Sequence, residues 1–303
     1  MQKVMKILIS GSHGLVGKAL IKLLTTEGHE IVRLVRHAPG PAEIEWHPNQ
    51  GVIKVEQLEG FDAVVHLAGE SIASGRWSNA KKQAIFDSRV KGTTLLSQSL
   101  AQLSQPPAVF ISASAIGYYG NRGDEELTEQ SAPGNNFVAH VCKEWEKSTA
   151  AAIEKGIRTV HTRIGIVLDT NGGALAQMLT PFRMGIGGRF GDGKQWMSWI
   201  ALDDLIGAFR LMLYDSLISG PVNFVGPFPV TNAEFTKTLG KVLSRPTIFP
   251  VPAFAARLAF GEMADELLLS GQKVIPAVLQ SRGFSFQLPR LEIALRKILR
   301  EYS

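Results

Sequence analysis

The chain has 303 residues, of which 45% are apolar and 19% charged, so it can bury a full hydrophobic core and is neither disordered nor fibrous. Its net charge of +5 at pH 7 comes from scattered lysines and arginines, which argues against a nucleic-acid-binding protein with one concentrated basic face. The one cysteine cannot form an internal disulfide, and no apolar run is long enough to cross a bilayer, so we expect a cytoplasmic protein without a membrane segment.

The first half of the chain alternates short β-rich runs with amphipathic segments of helical length. Strands are predicted over residues 4–10, 29–36, 63–69, 108–114 and 158–168, and helices over residues 15–27, 81–103 and 136–146. Strands that alternate with helices form parallel βαβ units. The sequence therefore predicts an α/β fold with a Rossmann-type doubly wound parallel sheet, whose ligand crevice lies at the carboxyl ends of the strands.

The second half differs in composition from about residue 172, where glycines and tryptophans become frequent. We predict a dinucleotide-binding domain over residues 1–225, with residues 170–200 as a substrate loop, and a smaller C-terminal α/β region over residues 226–303 on the substrate side. We also expect a helix over 203–214 capped by Asp203 or Asp204, a helix from residue 232 and a strand over 246–252. Trp196 and Trp199 either form apolar walls of the substrate loop or belong to the core.

The segment "GSHGLVG" follows the first predicted strand and opens the first predicted helix. It places Gly11, Gly14 and Gly17 in the spacing G-x-x-G-x-x-G. Glycine allows a tight turn and a close approach of a pyrophosphate to the backbone, and the amino end of the helix supplies unpaired N–H donors. The segment therefore predicts a dinucleotide site, against the alternative of a plain glycine turn between strand and helix.

The end of the second predicted strand is basic. A site for NAD usually presents an acidic residue about twenty positions after the glycine motif, whereas an arginine there accommodates the 2′-phosphate of NADP. Here "RLVRHAPG" presents Arg33 and Arg36, and no acidic residue follows until Glu43. The sequence therefore favours NADP(H) over NAD(H), the alternative being that the arginines are exposed strand-end residues without this role.

Several segments together resemble the extended short-chain dehydrogenase/reductase superfamily: "SGSHGLVG", "HLAGESI", "SASAIGYYG" and "CKEWE". More narrowly, "HLAGESIASGRW", "TRIGIVL", "GGRFGDGKQWMSWIALDDL" and "GEMADELLLSGQKVIP" resemble the YfcH-like epimerase-family proteins. The resemblance runs from Lys6 to about Leu299. It implies a Rossmann-type sheet, a nicotinamide cofactor and a family-specific C-terminal region, but it names no substrate.

The resemblance also implies roles for individual residues. It places Lys143 at the lysine that holds the nicotinamide ribose and Ser114, within one position, at the catalytic serine or threonine. Arg163 to Val167 fall on the strand end beside the nicotinamide. Leu67, Ala68 and Gly69 fall on the loop under the adenine side. The predicted cofactor-binding set is Gly11, Ser12, His13, Gly14, Leu15, Val16, Gly17, Arg33, Arg36, Leu67, Ala68, Gly69, Glu70, Lys143 and Arg163.

The chain departs from the superfamily at its tyrosine, because Ala139 stands four positions before Lys143. In the superfamily pattern the lysine lowers the pKa of that phenol, which then exchanges a proton with the substrate. A second departure is Ala201, where a histidine is usual. Cys142 lies next to Lys143, and we expect it to be a buried, inert thiol because adjacent helix positions face different directions.

Other residues are candidates for the proton transfer that the absent tyrosine would perform. Tyr118 and Tyr119 lie in the loop after the strand that carries Ser114, and either one supplies a phenol or packs in the core. His140 has a side chain suited to acid/base work, although a lone helix histidine is alternatively a surface or packing residue. The predicted catalytic set is Ser114, Tyr118, His140 and Lys143.

Two functions remain open from the sequence. The first is an NADP-dependent oxidoreductase or epimerase that acts on a small hydroxyl- or carbonyl-bearing substrate such as a nucleotide sugar. The second is an NADP(H)-binding regulatory or sensor protein with little turnover. Lys143 and the substrate loop favour the enzyme, and the missing tyrosine favours the sensor. We expect a small-molecule partner and no metal, nucleic acid or membrane, while the oligomeric state is not readable from the sequence.

Overall fold

The computed structural model describes residues 3–300 and is built around an eight-stranded sheet. In chain order the strands are β1 Lys6–Ser10, β2 Glu30–Val35, β3 Glu43–His47, β4 Val52–Ile53, β5 Ala63–His66, β6 Val109–Ala115, β7 Glu126–Leu127, β8 Arg158–Ile164, β9 Ile166–Leu168, β10 Trp196–Met197, β11 Trp199–Ala201, β12 Gly220–Phe224, β13 Val230–Thr231 and β14 Lys273–Val274. The helices are α1 Leu15–Thr26, α2 Asn79–Ala101, α3 Phe137–Lys147, α4 Ala150–Glu154, α5 Gly173–Arg183, α6 Leu202–Tyr214, α7 Asn232–Leu243, α8 Ala253–Phe260, α9 Ala277–Ser281 and α10 Leu291–Arg300.

The central sheet has the strand order β12-β8-β6-β5-β1-β2-β3-β4. All neighbours in it are parallel except β4, which pairs antiparallel with β3 at one edge. The chain winds from β1 outward to β3 and then continues from β5 on the other side of β1, so the winding reverses between β1 and β5. Ligands of such sheets bind at the carboxyl ends of the strands at this reversal. The predicted doubly wound fold is confirmed.

The sheet is covered on both faces. Side chains of successive strand residues point to opposite faces, so Ile7 and Ile9 of β1 pack with α1 and α6, while Leu8 packs with α2 and α4. Burial on both faces explains why β5 and β6 are almost wholly buried strands rather than alternating ones. Each large apolar side chain buried in this way contributes about 1.5–3 kcal/mol to folding.

The C-terminal segments form a second core against the sheet. Helices α5, α7 and α10 pack together around Trp199, which is 1% exposed. The pairing of β14 with β7 and the packing of α9 on β12 join this part to the central sheet. Across residues 3–300, no helix is both long enough and apolar enough to cross a lipid bilayer.

Two features of the second half differ from the sequence predictions. The predicted strand over 246–252 is wrong, because the segment forms a single bridge between Val251 and Phe190. Its three prolines remove the backbone donors that a strand needs. Residues 170–200 are also not one long loop, since they contain α5 and two short strands.

The start of α6 differs from the prediction as well. The helix begins at Leu202 after Ala201, so Asp203 and Asp204 lie in its first turn instead of capping it. Negative charge is favourable there because of the helix dipole. The Asp204 carboxylate also accepts hydrogen bonds from the backbone N–H groups of Gln287 and Leu288, at 2.7 and 3.0 Å. This residue therefore joins α6 to the segment before α10.

Candidate functional site

The turn between β1 and α1 packs directly against the loop that follows β5. Gly11 has a φ of +68°, and an added Cβ would lie 2.6 Å from the carbonyl carbon of Leu67 and 2.8 Å from the amide nitrogen of Ala68. A Cβ at Gly17 would overlap the carbonyl oxygen of Gly11. Only glycine permits both close approaches, which keep the amino end of α1 open to a ligand. A cradle of this shape fits the pyrophosphate of a dinucleotide.

A row of buried polar side chains, joined by hydrogen bonds, supports this cradle. The Ser10 hydroxyl accepts the backbone N–H groups of Leu67 and Ala68, at 3.1 and 3.2 Å, and lies 2.6 Å from Nδ1 of His66. The other ring nitrogen of His66 is 3.1 Å from the hydroxyl of Thr93 on α2. Burial lowers the pKa of His66 to about 4, so the ring is neutral at physiological pH. The cradle loop is thereby joined to α2 through an uncharged hydrogen-bond network.

The two arginines predicted to read the 2′-phosphate lie in different places. Arg33 lies within β2, and its guanidinium is 3.9 Å from the carboxylate of Glu43. Arg36 is exposed just beyond the carboxyl end of β2. A hydrogen bond from Lys81, and more weakly the charge of Arg36, hold the pKa of Glu70 below its usual value. Arg36 therefore lies at the end of β2, where an adenine ribose would bind, and near enough to Glu70 for its charge to act there.

Two histidines lie at the same end of the turn. His13, at the tip of the glycine turn, and His37, next to Arg36, are both exposed, and their ring centroids are 6.0 Å apart. The neighbouring Ser12 is buried, and its hydroxyl is 3.3 Å from Nδ1 of His13. The side chains of Leu15 and Val16 are half-buried in the first turn of α1. Polar and basic groups therefore lie at the end of the turn that faces β2.

Beyond β5, Ser114 belongs to a buried ion-pair network. Its hydroxyl donates to Glu146 on α3 at 2.7 Å, and Arg163 on β8 binds both oxygens of that carboxylate at 2.8 Å. The side chains of Arg163 and Glu146 are only 4% and 11% exposed. Burial by itself would lower the pKa of Arg163, but the bonds and charge of Glu146 raise it. Ser114 and Arg163 therefore lie at the strand ends, as expected, but each is bonded to Glu146.

The tyrosines after β6 differ in their surroundings. Tyr119 is fully buried, donates to the Asn223 side chain at 2.6 Å and accepts from Arg163 at 3.0 Å. Burial raises the pKa of Tyr119 to about 12. Tyr118 is half-buried, and the Arg163 guanidinium lies 3.5 Å from its ring centroid. Of the two, only Tyr118 is partly exposed.

The residues of α3 face different directions. Val138 and Cys142, four positions apart, lie against Gly117 at the end of β6. Cys142 is buried, as expected, and burial raises the pKa of its thiol to about 12. Lys143 is exposed, lies about 100° from Cys142 around the helix and is three positions before Glu146. His140 is also exposed and stacks on Phe86, with the ring centroids 5.6 Å apart.

Arg89 on α2 is a functional candidate that sequence reasoning missed. Its guanidinium donates to the backbone carbonyls of Glu70 and Ile85, at 3.0 and 3.1 Å, and lies 5.0 Å from the centroid of Trp145. Burial lowers its pKa, although it remains a strong base. The available signal was periodicity, because Arg89 lies four positions after the buried Ile85 and four before the buried Thr93, on the inner face of a predicted helix.

C-terminal residues contact the segment before β10 and the residue before α3. The Gln195 side chain donates to the carbonyl of Leu268 at 2.7 Å, and the Asn136 side chain donates to Glu266 at 2.8 Å. Trp196 is half-buried and donates to Asp124, whereas Trp199 belongs to the second core. The two tryptophans therefore have different roles, and only Trp196 lies at the surface of the predicted loop.

Comparison with known proteins extends these observations. The model of the NAD dependent epimerase/dehydratase family matches residues 7–223, and a domain of unknown function, DUF1731, matches residues 251–298. An epimerase family protein of Mycobacterium bovis is 44% identical over 281 residues, which cover 92% of this chain and 93% of that protein. The sequence similarity therefore includes both the glycine cradle and the C-terminal cover.

Two solved structures are also similar to this chain over most of its length. The crystal structure of human epimerase family protein SDR39U1 with NADPH is 34% identical, with a TM-score of 0.91 over 98% of this chain and 99% of that chain. A nucleoside-diphosphate sugar epimerase from Corynebacterium glutamicum is 38% identical, with a TM-score of 0.82 over 98% of this chain and 58% of that chain. The similarity extends over the cradle, the strand ends and the covering segments.

Proposed function

The chain belongs to the NAD dependent epimerase/dehydratase family, and from this premise we propose that it binds NADP(H) and acts as an oxidoreductase or epimerase on a small hydroxyl- or carbonyl-bearing substrate. The observation that carries the proposal is the contact of Gly11 with the loop at Leu67 and Ala68, which a side chain would destroy. A nucleotide sugar is one candidate substrate, because the Corynebacterium glutamicum relative is described as a nucleoside-diphosphate sugar epimerase.

The cradle residues would hold the cofactor along the strand ends. Backbone N–H groups at the start of α1 bind the pyrophosphate, and the loop at Leu67 to Gly69 bounds the adenine side. When bound there, the nicotinamide ring supplies a hydride to a carbonyl carbon or takes one from a hydroxyl-bearing carbon. The half-buried Tyr118 then exchanges its phenolic proton with the substrate oxygen, in place of the phenol absent at Ala139.

The preference for NADP(H) rests on Arg36, and it is tested by nucleotide titration. Loss of a charged hydrogen-bonding partner costs about 1.5–3 kcal/mol, so Arg36→Ala should weaken NADPH binding by about tenfold or more. The affinity for NADH should change little. Arg33→Ala is the matched control, because Arg33 is engaged with Glu43 and should leave both affinities near those of the natural protein. Equal losses of NADPH and NADH affinity in Arg36→Ala would contradict the preference.

The role of Tyr118 is tested by turnover. A panel of aldehydes, ketones and nucleotide sugars would be screened for substrate-dependent NADPH consumption. With any active substrate, Tyr118→Phe should lower kcat by a factor of about 10²–10⁴ and leave the Kd for NADPH unchanged. Tyr119→Phe removes two buried hydrogen bonds instead, to Asn223 and from Arg163, so it should lower stability by about 1–3 kcal/mol while keeping most of the turnover. A large loss of kcat in Tyr119→Phe, with turnover kept in Tyr118→Phe, would assign the proton transfer to Tyr119.

A second candidate function is NADP(H)-dependent sensing with little turnover. It is favoured by Ala139, which stands where the superfamily has its tyrosine and is fully buried, so this position offers no phenol. NADPH binding with no consumption in the whole panel, and with unchanged NADPH affinity in Tyr118→Phe, would favour this function. The roles of Ser114, His140 and Lys143 and the cytoplasmic location stay predictions.

A further inference from the structure

Two segments of the second half of the chain, one after α5 and one before α8, lie side by side. Phe190 of the first forms a parallel bridge with Val251 of the second, and the backbone N–H of Val251 donates to the Arg189 carbonyl at 2.8 Å. A Cβ added at Gly188 would overlap the carbonyl oxygen of Phe249. The two segments are therefore in direct backbone contact, and α8 follows immediately after the second one.

These two segments and α8 expose an unusual number of large apolar side chains. Among residues 3–300, thirteen large apolar side chains are exposed, and seven of the thirteen lie here, at 37–76% exposure. The seven are Met184, Ile186, Ile248, Phe249, Phe254, Leu258 and Phe260. Phe254 and Leu258 are four positions apart and therefore lie on one face of α8. We call the seven side chains together the α8 surface.

The area of the α8 surface exceeds the usual apolar patch of a monomeric protein. Aromatic side chains bury about 150–250 Å² each and aliphatic ones somewhat less, so seven at this exposure present roughly 700 Å². The largest apolar patch of a typical monomer is about 300–600 Å². Each partner in a specific protein interface buries about 800 Å². The area is therefore close to what a stable dimer needs from each chain.

The charges around α8 are mixed in sign and paired within the chain. Arg257 binds Asp265 at 2.9 Å, and Glu262, just after α8, binds Lys82 at 2.8 Å. Two protein surfaces can therefore meet at α8 without bringing unpaired like charges together. A helix that binds a lipid surface is instead rich in basic residues on its polar face. The one basic residue of α8 is already bonded to Asp265, so a protein partner fits this helix better than a membrane.

We propose that the α8 surface is an interface between two copies of this chain. The other six exposed large apolar side chains of residues 3–300 lie on six different segments, so the described chain offers no second apolar surface of this size. These six are Val4, Val52, Ile153, Leu217, Phe228 and Ile293. The surface that matches the α8 surface is therefore the same surface of a second copy. Such a contact has twofold symmetry and closes the assembly at a dimer.

The test measures the mass of the full chain in solution. Sedimentation velocity over a wide range of concentration would be run on the natural protein, Phe254→Glu, Leu258→Glu and Leu217→Glu, with thermal unfolding as a check of folding. We expect a dimer of the natural protein. Phe254→Glu and Leu258→Glu should each raise the Kd of the dimer by about a hundredfold or more, because a twofold interface loses the side chain from both copies. Leu217→Glu is the matched control, since Leu217 is 73% exposed and Leu258 76%, and it should leave the dimer unchanged.

Four results would overturn the proposal. The mass of one chain at every concentration would exclude the dimer; binding of that single chain to vesicles of phosphatidylcholine and phosphatidylglycerol, lost in Leu258→Glu, would make a lipid surface the occupant. A dimer that persists in both Phe254→Glu and Leu258→Glu would place the interface elsewhere. Assemblies that keep growing with concentration would contradict twofold symmetry. Equal dissociation in Leu217→Glu would show that added negative charge, and not the α8 surface, decides association.

Discussion

The two ends of the crevice are built in different ways. At the β1 end, backbone packs on backbone, with Gly11 against the Leu67 loop and Gly17 against Gly11. At the β6 end, polar side chains from three elements meet, with Ser114, Glu146 and Arg163 in one buried network. The first arrangement depends on the absence of side chains and the second on their presence. A short sequence motif can therefore specify the first, whereas the second requires residues that are distant in the chain.

The largest expected effect lies at the β6 end. Glu146→Gln leaves the Arg163 guanidinium buried without its carboxylate, and removing one partner of a buried ion pair costs about 3–5 kcal/mol. The matched control is Asp87→Asn, which breaks an exposed pair with Lys91 one helical turn away and should cost about 0.5 kcal/mol or less. Urea unfolding of both variants measures the two losses. Equal small losses in the two variants would contradict the expected cost of leaving the Arg163 charge buried without its carboxylate.

A smaller effect is expected at the β1 end. Gly11→Ala places a side chain at a φ of +68° and against the Leu67 backbone, so we expect a loss of about 2–4 kcal/mol from strain and overpacking. The control is Gly28→Ala, where φ is +85° but a Cβ meets nothing within 4 Å, so only about 1 kcal/mol should be lost. Gly11→Ala should also weaken NADPH binding, whereas Gly28→Ala should not. Equal stability losses would contradict the close-packing account.

The smallest effect concerns the neutral histidine under the cradle. Burial lowers the pKa of His66 from 6.5 to about 4, so its stabilising contribution is complete above pH 6.5 and is lost as the pH falls towards 4. The loss is about 1.4 kcal/mol per pH unit, or about 2 kcal/mol between pH 6.5 and pH 5. His66→Asn should remove this part of the pH dependence of stability. Burial also lowers the pKa of His161, and the pH dependence from that residue should be the same in the natural protein and the variant. Identical pH slopes of the free energy of unfolding would contradict a neutral, buried His66.

The sequence predicted the β1 end well because its determinants are local. The spacing of Gly11, Gly14 and Gly17 identifies the turn, and the alternation of apolar runs identifies the doubly wound sheet, which the structure confirms. The edge strands β3 and β4 were missed, and 246–252 was wrongly predicted as a strand. In both cases the segment is short, and tertiary contacts that cannot be read from the sequence decide whether it forms a strand.

The β6 end was predicted less well because its contacts are long-range. Ser114 and Glu146 are 32 residues apart, and Tyr119 and Arg163 are 44 apart, so their hydrogen bonds follow from the strand order. The direction of a helix side chain is equally sensitive, since a shift of one residue changes it by about 100°. For this reason Cys142 is buried and its neighbour Lys143 is exposed. The contact of Arg89 with Trp145 likewise follows only from the packing of α2 against α3.

A crystal structure of the protein with NADPH would test the central claim most directly, because it locates both halves of the cofactor at once. We predict the pyrophosphate at the turn of Gly11 to Gly17, the 2′-phosphate within hydrogen-bonding distance of Arg36, and Tyr118 facing the substrate side of the nicotinamide ring. NADPH bound outside the crevice, or bound with its nicotinamide away from Tyr118, would contradict this account.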